Sequence, residues 1–261
     1  MSTRAATYDA TVIGREQLSR HFVRLVLAVD GFESSGVPDE WVALTVPGQF
    51  QTRYYTVRSH SDSELTLDIV VHEHGLVTEW ASGDCVGDVV TISEPKASFK
   101  MPDDAQWLLL VGDLTGLPAI ARIIEWAHGR LGRDQIRAWV EVPDEPIRGY
   151  VDAEVTWSIP PAGVETATAA IVESIDWPDG PGYFWMAGES AQMRAIRKHL
   201  MREIKLPSTA YDVMGYWRGG GQQRQPRAVD PGPIWRDGKA AGKSDEQIWA
   251  DYDAAREASG G

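Results

Sequence analysis

The rhythm of apolar residues changes once along this chain, near residue 102, and that change constrains the fold more than any other feature. Before it, Val23, Leu25, Leu27 and Val29 alternate with Arg24, Val26 and Ala28, and Leu65, Leu67, Ile69 and Val71 repeat the pattern. Alternation of this kind gives a strand one apolar face. Residues 86–92 offer another strand. Punctuated by Gly31, Gly36, Pro38, Pro47, Gly48, Gly83 and Gly87, these short segments suit a small closed antiparallel barrel. Residues 76–82 are the exception and fit a turn or two of helix.

Pro95, Pro102, Asp103 and Asp104 then break the pattern, and Trp107-Leu108-Leu109-Leu110-Val111 follows as a continuous apolar run. Such a run suits a strand buried on both faces of a parallel sheet. Gly112-Asp113 ends it, and Ile120, Ile123, Ile124 and Ala127 mark one side of a helix. Further strands are predicted over 136–142, 183–187 and 211–216, with helices over 166–174 and 190–204. Strands alternating with helices imply an α/β domain with a parallel sheet. The predicted organisation is an antiparallel β-barrel domain over 1–102, an α/β domain over 103–218, and a linker with a C-terminal helix over 219–261. That last segment opens on Gly219-Gly220-Gly221 and continues through Pro226, Pro231 and Pro233 as a connector. Ser244 and Gln247 fit a capping box for a helix reaching about Arg256, with Ile248, Trp249, Tyr252 and Ala255 on one side.

Charge and cysteine content exclude several functions. A formal net charge of -13 argues against general nucleic-acid binding, though not against a local basic pocket for a small anion. The single Cys85 excludes an internal disulfide, a Cys-ligated zinc site and an iron–sulfur cluster held by this chain alone. Redox chemistry would fall to an organic cofactor or to iron arriving with a ligand. No apolar run approaches the ~20 residues of a membrane span. Residues 1–7 lack the apolar core of a signal peptide, so a cytoplasmic location is expected.

Four short segments carry chemistry. In Arg53-Tyr54-Tyr55-Thr56-Val57-Arg58, alternation puts Arg53, Tyr55 and Val57 on one strand face and Tyr54, Thr56 and Arg58 on the other. A guanidinium grips phosphate and a phenol stacks on a flat heteroaromatic ring, which suits a nucleotide carrying a planar group. An edge strand with ordinary salt bridges accounts for the same residues equally well. In His72-Glu73-His74-Gly75-Leu76-Val77-Thr78, a helix start offers backbone N–H groups and a hydroxyl to an anion. Capping of the helix for its own stability is the commoner use of such a pattern. His72 and His74 have no convincing third partner, so no metal site is assigned. Gly112-Asp113-Leu114-Thr115-Gly116-Leu117-Pro118-Ala119 lies at the carboxyl end of a parallel strand, where ligands of open α/β sheets collect. It is also an ordinary tight βα turn, and the chain has neither a Gly-x-Gly-x-x-Gly nor a Walker loop. Ala187-Gly188-Glu189-Ser190 repeats the strand-to-helix junction.

In this order and spacing, with Gly215-Tyr216-Trp217-Arg218 after them, these segments resemble the siderophore-interacting protein family over roughly residues 8–218. Those proteins are FAD-dependent ferric-siderophore reductases within the ferredoxin-reductase-like flavoproteins. The resemblance implies that electrons pass from NADH or NADPH through FAD to an Fe(III)–siderophore, releasing Fe(II). It implies that Arg53 holds the FAD pyrophosphate, that Tyr55 stacks on the isoalloxazine, and that Thr56, with the backbone of Val57, faces the flavin edge near N5. Gly75, Leu76, Val77 and Thr78 would bind the pyrophosphate, with His72 close to the cofactor. Asp113, Thr115, Ala187, Gly188 and Glu189 would lie along the nicotinamide dinucleotide. Arg218 would attract the anionic ferric complex, with Arg58 and Arg130 as further candidates. No side chain is expected to act as an essential acid or base, because the flavin carries the electron chemistry.

Two positions depart from the family pattern or narrow it. Leu114 stands where an acidic residue is usual, and Ala187 stands where many ferredoxin-reductase relatives carry Cys but the siderophore branch does not. Glu141, Asp144 and Glu145 would repel a 2′-phosphate at the ribose, which points to NADH. Two other functions fit the same residues: a general NAD(P)H:flavin electron-transfer protein with another acceptor, and a ferric-siderophore-binding protein that does not turn over.

Overall fold

Six strands close into an antiparallel barrel: β1 (Thr7–Ser19), β2 (Phe22–Val29), β3 (Trp41–Thr45), β4 (Arg53–His60), β5 (Glu64–Val70) and β6 (Val89–Ser93). Their order around it is β1-β2-β5-β4-β3-β6. The structure, a computed structural model, describes residues 6–48, 52–72 and 75–219, with Ala241, Lys243 and Gln247. The alternation in sequence becomes the barrel interior: Val23, Leu25, Leu27, Leu65, Leu67 and Ile69 are fully buried in one cluster with Val42, Leu44, Val57 and Ile92. Helix α1 (Leu76–Ser82) seals this core with Val77 and Ala81. Strand β1 is longer than anything its sequence suggests. Exposed and half-buried polar residues interrupt its pattern, and shifts of register near Gly14 and Ser19 bend it across both β2 and β6.

The second half is a five-stranded parallel sheet of β7 (Leu108–Asp113), β8 (Ile136–Glu141), β9 (Val155–Ser158), β10 (Tyr183–Glu189) and β11 (Tyr211–Trp217). Its order is β11-β10-β7-β8-β9. All six residues of β7 and all seven of β10 are buried, as the continuous apolar runs require. Helix α2 (Leu117–Ala127) lays Ile120, Ile123, Ile124 and Ala127 on the sheet, all fully buried. Helices α3 (Thr168–Glu173) and α4 (Ser190–His199) are shorter than their sequence patterns predict. Beyond His199 the turns widen into a π-helical segment over Leu200–Ile204, which Lys205 ends at φ 63°.

Because β7 leads to β8 and β9 on one side and the chain returns to β10 and β11 on the other, the strand order reverses between β7 and β10. Ligands of open α/β sheets bind outside the carboxyl ends of strands at such a point. Barrel and sheet share one compact unit, Met1–Trp217, and Arg218–Gly261 forms a second. Leu18, Phe22, Val37 and Val70 of the barrel pack into the core of the sheet domain. The helix predicted from Ser244 lies outside the described residues, apart from Gln247.

Candidate functional site

A cavity of about 750 Å³ opens where the barrel meets the carboxyl end of the sheet. Both matched sequence segments of the barrel line it, Arg53, Tyr54, Tyr55 and Thr56 from β4 and His72, Gly75, Leu76, Val77 and Thr78 from the start of α1. From the sheet domain come Thr115 and Pro118, after β7, and Tyr216, near the end of β11. Asp68 and Val70 of β5 complete the wall, with Gly48 and Thr52 on the approach to β4.

Both faces of β4 serve this cavity. Tyr55 points toward the barrel interior and packs against its core, and its phenol is pushed up to about 12, burial outweighing the nearby Arg53 charge. Tyr54 points the other way and is 61% exposed, and Leu76, also of the lining, is 44% exposed. Thr56 is buried, and its hydroxyl has no hydrogen-bond partner. Thr56 is the last residue of β4 that lines the cavity. The backbone of Val57 is already used: its N–H donates to Glu40 O at 2.9 Å and its carbonyl accepts from Arg122 at 2.7 Å.

A register shift between Val57 and Ser59 makes Arg58 the extra residue of a bulge. Arg58 turns toward α2, where it pairs with Glu125 at 2.6 Å and lies over the Tyr150 ring at 5.4 Å. It does not line the cavity. Arg130 does not line it either; it stacks on Trp126 at 4.0 Å and donates to that residue's carbonyl. Arg218 is exposed and opens the second compact unit, directly after Trp217.

At the other segment, Gly75 adopts φ 141°, a conformation that side-chain-bearing residues rarely reach, and so turns the chain into α1. Thr78 Oγ1 accepts from the His72 N–H at 3.3 Å, tying strand end to helix. His72 is open to solvent on one side, yet burial on the other outweighs the Asp113 charge and holds its imidazole below the ordinary value.

The two strand-end junctions of the sheet divide their residues between structure and cavity. Asp113 is a buried anchor whose carboxylate accepts from Thr115 N at 2.8 Å, from Thr115 Oγ1, and from the Trp217 indole. Burial raises its pKa in spite of these bonds. Thr115 is thereby fixed with its residue on the cavity wall. Ala187 and Gly188 are buried between β7 and β11, and a Cβ on Gly188 would stand 3.0 Å from Asp113 Oδ2. Glu189 caps α4 by accepting from Ala191 N and Gln192 N. None of these last three lines the cavity. The acidic run after β8 is likewise divided. Glu141 is buried and accepts from Ala167 N at 2.7 Å, while Asp144 pairs with His21 of the barrel at 2.9 Å.

Two clamps hold the cavity walls together. Arg122 bridges from α2 to Glu40, which is fully buried, and to Val57 O. Tyr150, between the Arg24 and Arg58 guanidiniums, hydrogen-bonds to Asp68, which Arg24 also grips at 2.8 Å through both oxygens. The signal for the second was present: Arg24 and Asp68 are charges at outward positions of two alternating strands, and they face each other in the ladder. Tyr216 lines the cavity too, and in the sequence only its place in Gly215-Tyr216-Trp217-Arg218 marks it.

The residues fit a flavin dinucleotide. A guanidinium and a helix start with threonine suit the phosphates, and partly exposed phenols suit the ring. Thr56 of the barrel and Tyr216 of the sheet domain also line the cavity, with their hydroxyls buried. A barrel of this kind joined to a parallel sheet of this order is the ferredoxin-reductase-like fold. A ferredoxin reductase of a carbazole 1,9a-dioxygenase system superposes with a TM-score of 0.67 over 83% of this chain at 13% identity, and covers 71% of its own length. Within that class the chain belongs to the siderophore-interacting protein family: residues 48–99 match its FAD-binding domain and residues 105–220 the siderophore-interacting protein family itself. It is 30% identical to the Mycobacterium tuberculosis protein Rv2895c over 225 residues, 76% of this chain and 78% of that one. It is 26% identical to the NADPH-dependent ferric-chelate reductase of Escherichia coli over 80% of this chain and 92% of the relative. The siderophore-interacting protein of A. baumannii superposes with a TM-score of 0.72 at 18% identity, covering 84% of this chain and 93% of its own.

Proposed function

We propose that this protein is an FAD-dependent ferric-siderophore reductase that takes its electrons from NADH or NADPH. The observation that carries this reading is the joint cavity: Arg53, Tyr55, Thr56 and the Gly75–Thr78 turn meet Thr115 and Tyr216 of the sheet domain in one space. Arg53 and the α1 start hold the pyrophosphate. Tyr55, backed by the barrel core, offers one ring face to the isoalloxazine. Thr56 faces the flavin edge through its hydroxyl.

FAD supplies the electron chemistry, accepting two electrons from a nicotinamide and returning them one at a time to Fe(III). In balance, one NAD(P)H and two Fe(III) give NAD(P)+, two Fe(II) and one proton. The chain's own work is to bind, orient and exclude water. Arg53 is the one arginine or lysine among the described residues that line the cavity, and its charge is taken by the pyrophosphate. Arg218, exposed after β11, is the cation left to attract an anionic ferric complex. Glu141 and Asp144 are engaged elsewhere, so the donor reading keeps both nicotinamides.

The test is anaerobic reduction of the FAD-loaded protein by NADH and by NADPH, followed by reoxidation with a panel of ferric siderophores, quinones and free flavin. Rapid oxidation by ferric siderophores is expected. Oxidation by quinones or flavin alone would make the protein a general electron-transfer flavoprotein. A flavin that neither nicotinamide reduces would leave a binding protein.

A further inference from the structure

Positive charge is scarce along this cavity. Arg53, the one arginine or lysine of its described lining, is engaged by the pyrophosphate in the flavin reading. The His72 imidazole is held below its ordinary 6.5, because burial outweighs the Asp113 charge, and so it is neutral at pH 7. The Asp68 carboxylate is buried and accepts from Arg24 and from the Tyr150 hydroxyl. The large hydrophobic side chains that the lining turns to solvent are Tyr54 and Leu76. Glu79 is exposed as well, and its spacing of three residues from Leu76 puts it on the same side of α1.

The chain as a whole deepens the deficit. Its formal net charge is -13, and a bound pyrophosphate adds to it. Arg218 offsets a single charge, while residues 219–261 after it hold six Lys or Arg against seven Asp or Glu. A field that speeds an oppositely charged ligand by about 10- to 1,000-fold slows a like-charged one by the same physics. Ferric siderophores differ widely in charge. Three catecholates give up six protons to Fe(III) and leave the complex trianionic. Three hydroxamates give up three and leave it neutral, and their aliphatic spacers offer hydrocarbon to side chains such as Tyr54 and Leu76. Resting on the ferric-siderophore reading above, we propose that this site takes ferric chelates of zero or positive net charge, the tris-hydroxamate class, in preference to tris-catecholates. Each complex accepts one electron from the flavin, its Fe(III) becomes Fe(II), and its net charge falls by one.

The test separates charge from iron chemistry. The full chain, loaded with FAD and reduced anaerobically, is mixed with a linear ferric tris-hydroxamate that ends in a free ammonium, and with the same chelate after that amine is succinylated. The iron centre is identical in the two, and only a remote charge changes, from positive to negative. At an ionic strength of about 0.01 M, where charges act over about 30 Å, flavin reoxidation should be about tenfold faster with the ammonium form. At about 1 M, where that reach falls to about 3 Å, the two rates should converge. A ferric tris-catecholate should react more slowly than either at low salt and accelerate as salt is added. A faster succinylated form, equal rates at low salt, or a tris-catecholate rate that falls with added salt would each overturn the proposal. A chain that binds no FAD, or a reduced flavin that no ferric chelate reoxidises, is a separate outcome, and it removes the reductase reading together with this inference.

Discussion

Arg122 donates to the main-chain carbonyl of Val57 at 2.7 Å, so a helix of the sheet domain holds the barrel strand one residue beyond Thr56. The same guanidinium nitrogen reaches Glu40 at 3.1 Å, and Ser34 and Ser35 complete that carboxylate's shell. Each domain therefore fixes the other's cavity wall.

Arg122→Ala leaves Glu40 fully buried with only serine donors. Breaking one side of a buried pair costs about 3–5 kcal/mol, and the serines place this case near 3 kcal/mol. Urea unfolding should show it as a lower midpoint, and Arg122→Ala combined with Glu40→Gln should cost less than the two separate losses added together. Strict additivity would mean the two residues do not act as a pair.

The same pair sets a pH dependence. Burial alone would raise the Glu40 pKa, but hydrogen bonds from Ser34 and Ser35 and the Arg122 charge outweigh it and hold the carboxyl below its ordinary 4.5. A carboxyl whose folded pKa is depressed stabilises the fold above the unfolded pKa, and that contribution disappears as pH falls through the folded value. The stability advantage of wild type over Glu40→Gln should be constant from neutral pH down to about 5 and shrink below 4.5. An advantage that grew on acidification would reverse the sign and refute the assignment.

Arg53→Ala should act on cofactor binding. A charge-assisted hydrogen bond contributes about 1.5–3 kcal/mol, which is about 10- to 150-fold in the FAD dissociation constant. Flavin fluorescence titration measures this directly. Full FAD occupancy and full turnover in the variant would show that the phosphate site lies elsewhere.

Gly215→Ala should distort the sheet edge of the cavity. A Cβ at Gly215 would stand 2.4 Å from Ser190 Oγ and 3.1 Å from the Ser190 Cα. That serine holds Trp217 O at 2.7 Å, so relief of the clash moves β11 and Tyr216 with it. Overpacking of this kind costs about 1–3 kcal/mol, a Tm loss of several degrees for a domain of this size. Differential scanning calorimetry of the apoprotein reads it without cofactor, and an unchanged Tm would show that Ser190 rotates away at no cost.

The sequence displays those features that depend on neighbours in the chain. Leu25, Leu27, Leu65 and Leu67 reveal the barrel because a strand repeats every two residues, and Leu108 to Val111 reveal the central strand because both its faces are buried. Strands β3 and β9, with five and four residues, are too short to set up a period. The cavity segments at Arg53–Thr56 and Gly75–Thr78 are local strings, and they were legible. Roles that depend on packing were not. Asp113 anchors the turn after β7 and Glu189 caps α4, and neither set of partners can be read from spacing alone. Arg58 looks like a spare cation until the bulge turns it to Glu125. Arg122 and Glu40 are 82 residues apart, and no spacing rule brings them together.

The bulge in β4 has a consequence for how such proteins can diverge. One strand of eight residues lines the cavity with its first half and grips α2 with Val57 and Arg58 in its second. The two domains are therefore not interchangeable parts. A chimaera that keeps this barrel and borrows a sheet domain from a relative must carry Arg122, Glu125 and Tyr150 across with it.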